Sequence, residues 1–343
     1  MANVPTSPPL KIFFHCPRKI SRPLAGRHSR RGESAGLERS QRAELCLCPE
    51  EADLLWPRNV PERTCDRHLE DMQLFLSCFP NTRVLNHPRD MVLADSKDRA
   101  FAKWRDAGLP IPGFACPESF QDLLRFTDAY PATLLRLNNG ASATDTLVLE
   151  NPSRAEAEHA YRKVNTTARS LCRRGRADSR PIVVELLRST AGPGLVAGYR
   201  AFVVGRRLVG GYALVADQAK VNLGTSVCTN EREEGAFLEV NSRLDALLLD
   251  PAFQDLVFGA TAALHLDLCC FDFVLVDDSP VLLEANALWG PAAGWAGGRM
   301  GKALFGQHNN IWLKRARGYC AWMDRAVFYE HIFDHFDQFR PGL

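Results

Sequence analysis

The chain lacks several features that would assign it at once to a well-known class. None of its 343 residues lie in a run approaching the ~20 consecutive apolar residues of a membrane-spanning helix. The N-terminus lacks a basic segment followed by an apolar one, so we expect a cytoplasmic protein that contacts no membrane. The net charge of +2 predicts no general affinity for nucleic acid or another polyanion.

Common catalytic and metal-binding motifs are also missing. The nine histidines show no zinc-protease spacing, and there is neither a Gly-x-Ser-x-Gly elbow nor a Walker-type Gly-Lys-Ser/Thr motif. The 11 cysteines are scattered, and Cys46 and Cys48 are not at a zinc-ligand spacing. We therefore expect reduced thiols rather than disulfides or a metal cluster.

The composition is that of an ordinary globular protein, with 46% apolar and 24% charged residues. At 343 residues, two or three domains are expected. The apolar run at residues 10–16 predicts a short buried strand, and helical and extended patterns alternate from residue 61 onward, which predicts a mixed α and β fold. The predicted elements include a helix within residues 61–79, a helix capped by Asp95 or Ser96 with Phe101 and Trp104 as its apolar stripe, a strand at residues 181–187, a helix at residues 243–266 and a helical tail at the end of the chain. Residues 18–42 carry eight basic and two acidic residues, and they are predicted to form a solvated loop or, alternatively, a basic arm for an acidic partner.

The most informative stretch is residues 271–286, where two apolar segments flank an Asp-Asp-Ser-Pro turn, a pattern that predicts a β-hairpin. In the simplest register Val276 faces Pro280, so Asp272 falls opposite Glu284, and Asn286 shares the face of Glu284. Opposed carboxylates repel each other, and a hard cation between them would relieve the repulsion. If this register holds, the hairpin is a Mg²⁺ site that a phosphate-carrying substrate would share.

Basic residues in apolar or loop segments are candidate phosphate ligands. Lys97 begins a predicted helix, and it is either a phosphate ligand or a solvated lysine. Arg136 interrupts the apolar strand at residues 132–137 and needs an anionic partner. The loop at residues 138–144 contains Ser142, and its small side chains would let backbone N–H groups approach phosphate unless it is an ordinary turn. Lys220 follows a turn, and its alternative is also a solvated lysine.

Two further charged residues lie at apolar strands. Glu185 closes the run Ile182-Val183-Val184, where it either accepts a hydrogen bond from a ribose or base, or pairs with Arg188. Arg200 interrupts the predicted strand at residues 199–204. A buried arginine there has either an acidic structural partner or a carboxylate or phosphate ligand.

The order and spacing of these segments resemble the ATP-grasp superfamily, in particular its glutathione-synthetase-like carboxylate–amine ligases. The resemblance runs from about Leu85 to Trp289, and Leu283-Glu284-Ala285-Asn286 with Asp272 carries its most specific part. It implies an α+β / α/β fold in which a nucleotide is held between two α+β lobes, preceded by a small, atypical N-terminal α/β lobe. The implied division is residues 1–90, 91–180 and 181–343.

The resemblance also implies ligands and roles for particular residues. Arg200 would stabilise an acyl-phosphate or the tetrahedral intermediate formed when an amine attacks it. Arg136 stands where the family often has a lysine, and residues 185–187 would form the hinge along the adenine and ribose. The implied ATP ligands are Lys97, Arg136, Ser142, Glu185, Leu187 and Lys220, and the implied Mg²⁺ ligands are Asp272, Glu284 and Asn286.

The leading hypothesis is therefore an ATP- and Mg²⁺-dependent ligase that joins a small-molecule or peptide carboxylate to an amine. A homodimer is one assembly that such a ligase could form. The loop at residues 138–144 has one glycine where many members have more, which motivates an alternative, a degenerate nucleotide-binding scaffold or regulator without turnover. A third hypothesis is phosphorylation without amide formation.

Overall fold

The structure of the protein is a computed structural model, and it describes residues 10–15, 43–45, 48–57, 66–140, 146–176, 178–222, 225, 230–287 and 334–335. The predicted basic loop at residues 18–42, the predicted phosphate ligand Ser142 and most of the predicted helical tail lie outside these residues. The described residues form three sheets and seven α-helices. None of these helices is both long and apolar enough to cross a membrane.

The first sheet is parallel, with the strand order β2-β1-β3-β4. Its strands are β1 (Leu10–His15), β2 (Ala43–Leu45), β3 (Leu54–Pro57) and β4 (Arg83–Val84). Helix α1 (Asp66–Ser77) buries Met72 and Leu76, and the Phe75 ring stacks on Phe13 at 5.9 Å between centroids. The predicted strand near residue 10 and the predicted helix within residues 61–79 are both confirmed.

Two short helices connect this sheet to the rest of the protein. Helix α2 (Pro88–Asp95) was not predicted, and α3 (Lys97–Asp106) follows it after Ser96. The predicted apolar stripe is confirmed, because Phe101 and Trp104 are buried and the Trp104 indole donates to the Ala260 carbonyl at 3.1 Å. Gly108 ends the segment with φ +71°, a conformation that glycine adopts without steric cost.

The second sheet is antiparallel, with the order β5-β8-β6-β7. It contains β5 (Phe114–Ala115), β6 (Ala132–Leu137), β7 (Leu147–Glu150) and β8 (Pro181–Glu185), and it packs against α4 (Phe120–Ala129) and α5 (Arg154–Arg173). Ser119 and Ser153 begin these helices with reciprocal capping boxes. Strand β8 pairs with β6. It ends at Glu185, two residues before the predicted end at Leu187.

The third sheet has the order β11-β10-β12-β13, with the short β9 (Ser189–Thr190) paired to β10. Its long strands are β10 (Val196–Val204), β11 (Arg207–Ala216), β12 (Leu268–Val276) and β13 (Ser279–Asn286). Helices α6 (Glu231–Leu249) and α7 (Pro251–Ala263) pack against it. The predicted start of α6 at residue 243 is wrong, because the side chain of Asn230 caps the helix much earlier.

The hairpin of β12 and β13 confirms the predicted pairing but not the predicted turn. Val276 faces Ser279 rather than Pro280. Asp277 and Asp278 form the two-residue turn with φ 48° and 64°, both in the left-handed region that such hairpin turns require. A bulge then shifts the register, with Leu283 as the extra residue of β13. Two deviations of one residue therefore cancel, and Asp272 lies opposite Glu284.

Candidate active site

A cavity of about 540 Å³ is lined by residues of the second and third sheets. Its lining combines α3, β6 and β8 with β10 to β13 and the segment that follows β11. The structure brings nine of the ten predicted site residues to this one cavity, and the tenth, Ser142, lies outside the described residues. The nine are Lys97, Arg136, Glu185, Leu187, Arg200, Lys220, Asp272, Glu284 and Asn286.

Four polar residues form a continuous row across the third sheet. Tyr212 of β11 pairs with Arg200 of β10, Arg200 pairs with Asp272 of β12, and Asp272 pairs with Glu284 of β13. Directly opposed residues on neighbouring strands project to the same face, so all four side chains reach the cavity. Sequence reasoning missed Tyr212, because a bulge between Phe202 and Val203 sets the register that places it opposite Arg200.

Arg200 and Asp272 form a two-pronged ion pair within this row. Nε of Arg200 lies 2.5 Å from Oδ1 of Asp272, and Nη2 lies 2.6 Å from Oδ2. The guanidinium carbon also lies 5.7 Å from the centre of the Tyr212 ring. Burial alone would lower the pKa of Arg200, but the Asp272 carboxylate outweighs burial and raises it, so the guanidinium keeps its charge. The acidic structural partner predicted as one alternative for Arg200 is therefore present.

Glu284 pairs with two cations that come from outside its own sheet. One carboxylate oxygen lies 3.2 Å from Nζ of Lys97, and the other lies 3.6 Å from Nη1 of Arg136. The Lys97 side chain is only 3% exposed, which excludes the solvated lysine considered from the sequence. Burial and the charge of Arg136 lower the pKa of Lys97. Burial raises the pKa of Glu284, but Lys97 and Arg136 together hold it below its usual range.

These ion pairs change the argument for a metal. The two opposed carboxylates were expected to repel each other unless a bound cation separated them. In the structure Arg200 flanks Asp272, while Lys97 and Arg136 flank Glu284. Protein cations therefore compensate both carboxylates, so repulsion alone does not require a metal ion here.

Comparisons with known proteins agree with this arrangement of sheets. No protein-family model and no curated protein matches the sequence. A RimK domain ATP-grasp protein from Sphaerobacter thermophilus matches the structure with a TM-score of 0.52 at 15% identity, over 95% of this chain and 98% of that chain. The chain has the ATP-grasp fold.

Two further solved structures are similar at lower scores. The ATP-grasp ligase PsnB in complex with a minimal precursor gives a TM-score of 0.49 at 16% identity, over 88% of this chain and all of that chain. The D-alanine-D-alanine ligase of Coxiella burnetii gives 0.44 at 15% identity, over 84% of this chain and 74% of that chain. At these identities the similarity concerns the fold.

The donor set of this cavity fits a hard cation. Asp272, Glu284 and Asn286 offer two carboxylates and an amide, the oxygen ligands that Mg²⁺ prefers, and Nδ2 of Asn286 lies 3.5 Å from Asp272. A carboxylate has about four lone-pair sites, so an oxygen that accepts from Arg200 or Lys97 retains one for a metal. No group of three or more His, Cys, Asp or Glu residues forms a metal cluster within the described residues.

The same cavity also contains groups that fit an anion. Within the described part of the chain, the buried Nε of Arg136 and the buried hydroxyl of Thr146 have no hydrogen-bond partner. Both residues line the cavity beside Lys97. Buried donors of this kind are costly unless a ligand or water satisfies them. Phosphate oxygens have the charge and the acceptor capacity to do so.

A network of hydrogen bonds fixes Lys97 and the first turn of α3 in place. The Lys97 backbone donates to the Asn138 carbonyl at 2.9 Å, and its Nζ donates to the Gly140 carbonyl at 2.8 Å. The Asn138 side chain donates to Asp98 at 3.1 Å, and Nε of Arg180 donates to Asp98 at 2.8 Å. This network attaches the start of α3 to the start of the small-residue loop. Sequence reasoning missed it, because it joins segments about 40 and 80 residues apart.

Glu185 has a different partner from the one considered. Its carboxylate accepts from the Gly113 backbone N–H at 3.0 Å, and Arg188 instead pairs with Glu150. A Cβ atom on Gly113 would lie 2.6 Å from the Tyr130 ring, so the ring would have to shift to admit another residue here. The contact holds Glu185 at the end of β8, beside Leu187 in the cavity wall.

Proposed function

We propose that the protein is an ATP- and Mg²⁺-dependent ligase that joins a carboxylate, on a small molecule or a peptide, to an amine. One observation carries the proposal: Lys97 of α3 and Arg136 of the second sheet meet the row of polar residues on the third sheet at Glu284, in a single cavity. Phosphoryl transfer relies on positioning and on neutralising charge, and this cavity combines fixed cations with oxygen ligands for a metal.

Three groups of cavity residues have separate roles in this proposal. Residues 185–187 follow the adenine and ribose, while Lys97, Arg136 and Lys220 bind phosphate oxygens together with the loop that contains Ser142. Asp272, Glu284 and Asn286 would hold Mg²⁺, which would draw charge from the phosphates when bound. The unsatisfied Nε of Arg136 and hydroxyl of Thr146 support an anionic ligand at this place.

The proposed reaction has two steps. A carboxylate oxygen of the substrate attacks the γ-phosphorus of ATP, the bond from that phosphorus to the β-phosphate oxygen breaks, and ADP leaves with the electron pair. The amine nitrogen then attacks the acyl carbon, the carbon–oxygen bond breaks so that phosphate leaves with the electron pair, and the nitrogen loses a proton to solvent water. Arg200 keeps its charge beside Asp272, and its guanidinium would stabilise the anionic oxygens in both steps.

The test is ADP release by the full chain with panels of carboxylates and amines. Asp272→Asn and Glu284→Gln each remove one proposed metal ligand charge, and each should slow ADP release by roughly 100-fold or more. Glu158→Gln is the matched control, because Glu158 pairs with Arg162 on the exposed face of α5. Undiminished ADP release in both hairpin variants would remove the metal assignment.

A second candidate function is nucleotide binding without turnover. It is favoured by the fact that protein cations already compensate both carboxylates. Arg200 contacts both oxygens of Asp272, while Glu284 contacts Lys97 and Arg136. A scaffold of this kind would bind ATP tightly and release no ADP with any member of the substrate panels. Phosphorylated product without dependence on an amine would instead identify a kinase.

A further inference from the structure

Asn86 lies at the junction between β4 and α2, with φ 51° and 1% of its surface exposed. Its side chain makes four hydrogen bonds. Nδ2 donates to the carbonyls of Leu268 at 2.7 Å and Ala287 at 2.8 Å. Oδ1 accepts from the backbone N–H groups of Asp267 at 2.8 Å and Leu268 at 3.0 Å. A side-chain amide has two donors and two acceptor sites, so this one is fully used.

These partners lie at the open end of the hairpin. Leu268 is the first residue of β12, and Ala287 directly follows Asn286, the last residue of β13. The side chain of Asn86 therefore connects the beginning of one strand to the end of the other. The turn at Asp277 and Asp278 closes the opposite end. The hairpin is thus fixed at both ends, and Asp272 and Glu284 lie between them.

A second set of contacts fixes Asn86 itself. Its backbone N–H donates to Oδ2 of Asp267 at 3.1 Å, and Nη2 of Arg83 lies 2.7 Å from Oδ1 of the same carboxylate. Nε2 of His335 lies 3.3 Å from that oxygen. Burial would raise the pKa of Asp267, but the contacts with His335, Asn86 and Arg83 lower it, so the carboxylate remains an anionic acceptor. Asn86 is therefore held rigidly against the hairpin.

We propose that Asn86 is a positioning residue for the metal site. It fixes the open end of the hairpin, so that Asp272, Glu284 and Asn286 keep the spacing that a single metal ion requires. The residues that orient metal ligands typically change metal affinity by about 10–100-fold when they are removed. The inference rests on the proposed function, because it acts through the proposed Mg²⁺ ligands.

The test variant is Asn86→Gly. Glycine adopts a positive φ without strain, so this change removes the amide side chain and leaves the backbone conformation accessible. Binding of Mn²⁺ to the full chain is measured by electron paramagnetic resonance in the presence of ADP. We expect the Kd for Mn²⁺ to rise about tenfold or more. The Kd for ADP, measured without a divalent metal, should change by less than about threefold, because Asn86 contacts no cavity cation.

Asn241→Ala is the matched control for lost stability. Asn241 is also 1% exposed, and its side chain ties α6 to β11 through hydrogen bonds of 2.9 Å and 3.0 Å with Ala213. It also donates to the Phe237 carbonyl at 2.9 Å, and it does not line the cavity. Its melting temperature should fall as in Asn86→Gly, while its Kd for Mn²⁺ stays at the wild-type value. An equal rise in both variants would overturn the proposal.

The remaining outcomes distinguish a failure of the positioning role of Asn86 from a failure of the proposed metal-dependent function. A wild-type chain that binds no Mn²⁺ with ADP contradicts the proposed metal-dependent function. A wild-type chain that binds Mn²⁺, with the same Kd in Asn86→Gly, overturns the positioning role and leaves that function standing. If Asn86→Gly does not fold, Asp267→Asn takes its place, because it weakens the acceptor of the Asn86 backbone. We then expect a rise of about threefold in the Kd for Mn²⁺, and an unchanged value overturns the proposal.

Discussion

Two groups of charges meet in the cavity, and they are held in different ways. The in-sheet pair consists of Arg200 and Asp272, which face each other on adjacent strands with contacts of 2.5 Å and 2.6 Å. The intersheet cluster consists of Lys97, Arg136 and Glu284, with contacts of 3.2 Å and 3.6 Å. Strand register fixes the first group, whereas the second depends on how α3 and the second sheet pack against the hairpin.

The two groups also differ in burial. In the intersheet cluster the side chains of Lys97, Arg136 and Glu284 are 3%, 13% and 22% exposed, while in the in-sheet pair Arg200 is 23% and Asp272 is 30% exposed, so the difference lies in the cations. Water therefore screens the in-sheet pair in part and reaches Lys97 hardly at all. Removing one partner from a buried pair leaves an uncompensated charge in the protein interior, which solvates charge poorly. The intersheet cluster should therefore be the more sensitive of the two to loss of a charge.

The largest expected effect is the loss of stability in Glu284→Gln. This change leaves Lys97 and Arg136 facing a neutral amide, and we expect the free energy of unfolding to fall by about 3 kcal/mol. The matched change Asp272→Asn in the in-sheet pair should cost about 1–2 kcal/mol, because that pair is partly solvated. Urea unfolding of both variants measures the difference. Equal losses would show that burial does not distinguish the two groups.

A smaller effect is expected from Arg200→Lys, which keeps the charge but loses the two-pronged contact. We expect a loss of about 1 kcal/mol in the free energy of unfolding and about a tenfold slower amide formation, with ATP affinity nearly unchanged. Arg207→Lys is the control, because Arg207 lies on β11 of the same sheet and pairs with Asp334 away from the cavity. Equal rates for wild type and Arg200→Lys would mean that geometry in the in-sheet pair does not matter.

A pH titration should identify the contribution of Glu284 directly. Its folded-state pKa is lowered from 4.5, so its stabilising contribution is complete above that value and is lost as the pH falls through the lowered pKa. Between pH 5 and pH 4 the wild type should lose stability relative to Glu284→Gln, because the carboxyl group of the unfolded chain takes up a proton before that of the folded chain. Urea unfolding at both pH values measures this. A stability difference that stays constant from pH 5 to pH 4 would contradict the assigned ion pair.

The smallest effect concerns Tyr212, the outer residue of the row. Tyr212→Leu removes the ring that lies 5.7 Å from the Arg200 guanidinium, and we expect a loss of about 0.5–1 kcal/mol in the free energy of unfolding. Tyr212→Phe keeps the ring and should recover most of that loss. If Tyr212→Phe is as unstable as Tyr212→Leu, the ring contributes nothing to the in-sheet pair.

Much of the local structure was predictable from the sequence. Alternating apolar residues predicted the hairpin, and the pairing of Asp272 with Glu284 was confirmed, although a different turn and a bulge produce it. The need of Arg136 for an anionic partner also followed from its place in an apolar strand, and Glu284 meets it. Such patterns depend on side-chain periodicity within one segment, which a sequence displays directly.

The tertiary structure decided what a single segment does not contain. The sequence left Lys97 open between a solvated lysine and a phosphate ligand, and its burial comes from packing α3 between the sheets. Asn86 lies 181 residues from Asp267, and their contact exists only in the folded chain. The sequence by itself determined which residues are charged and which segments are extended. Contacts between distant segments decided which charges face each other and how far they are shielded from solvent, because burial and pairing are properties of the packed chain.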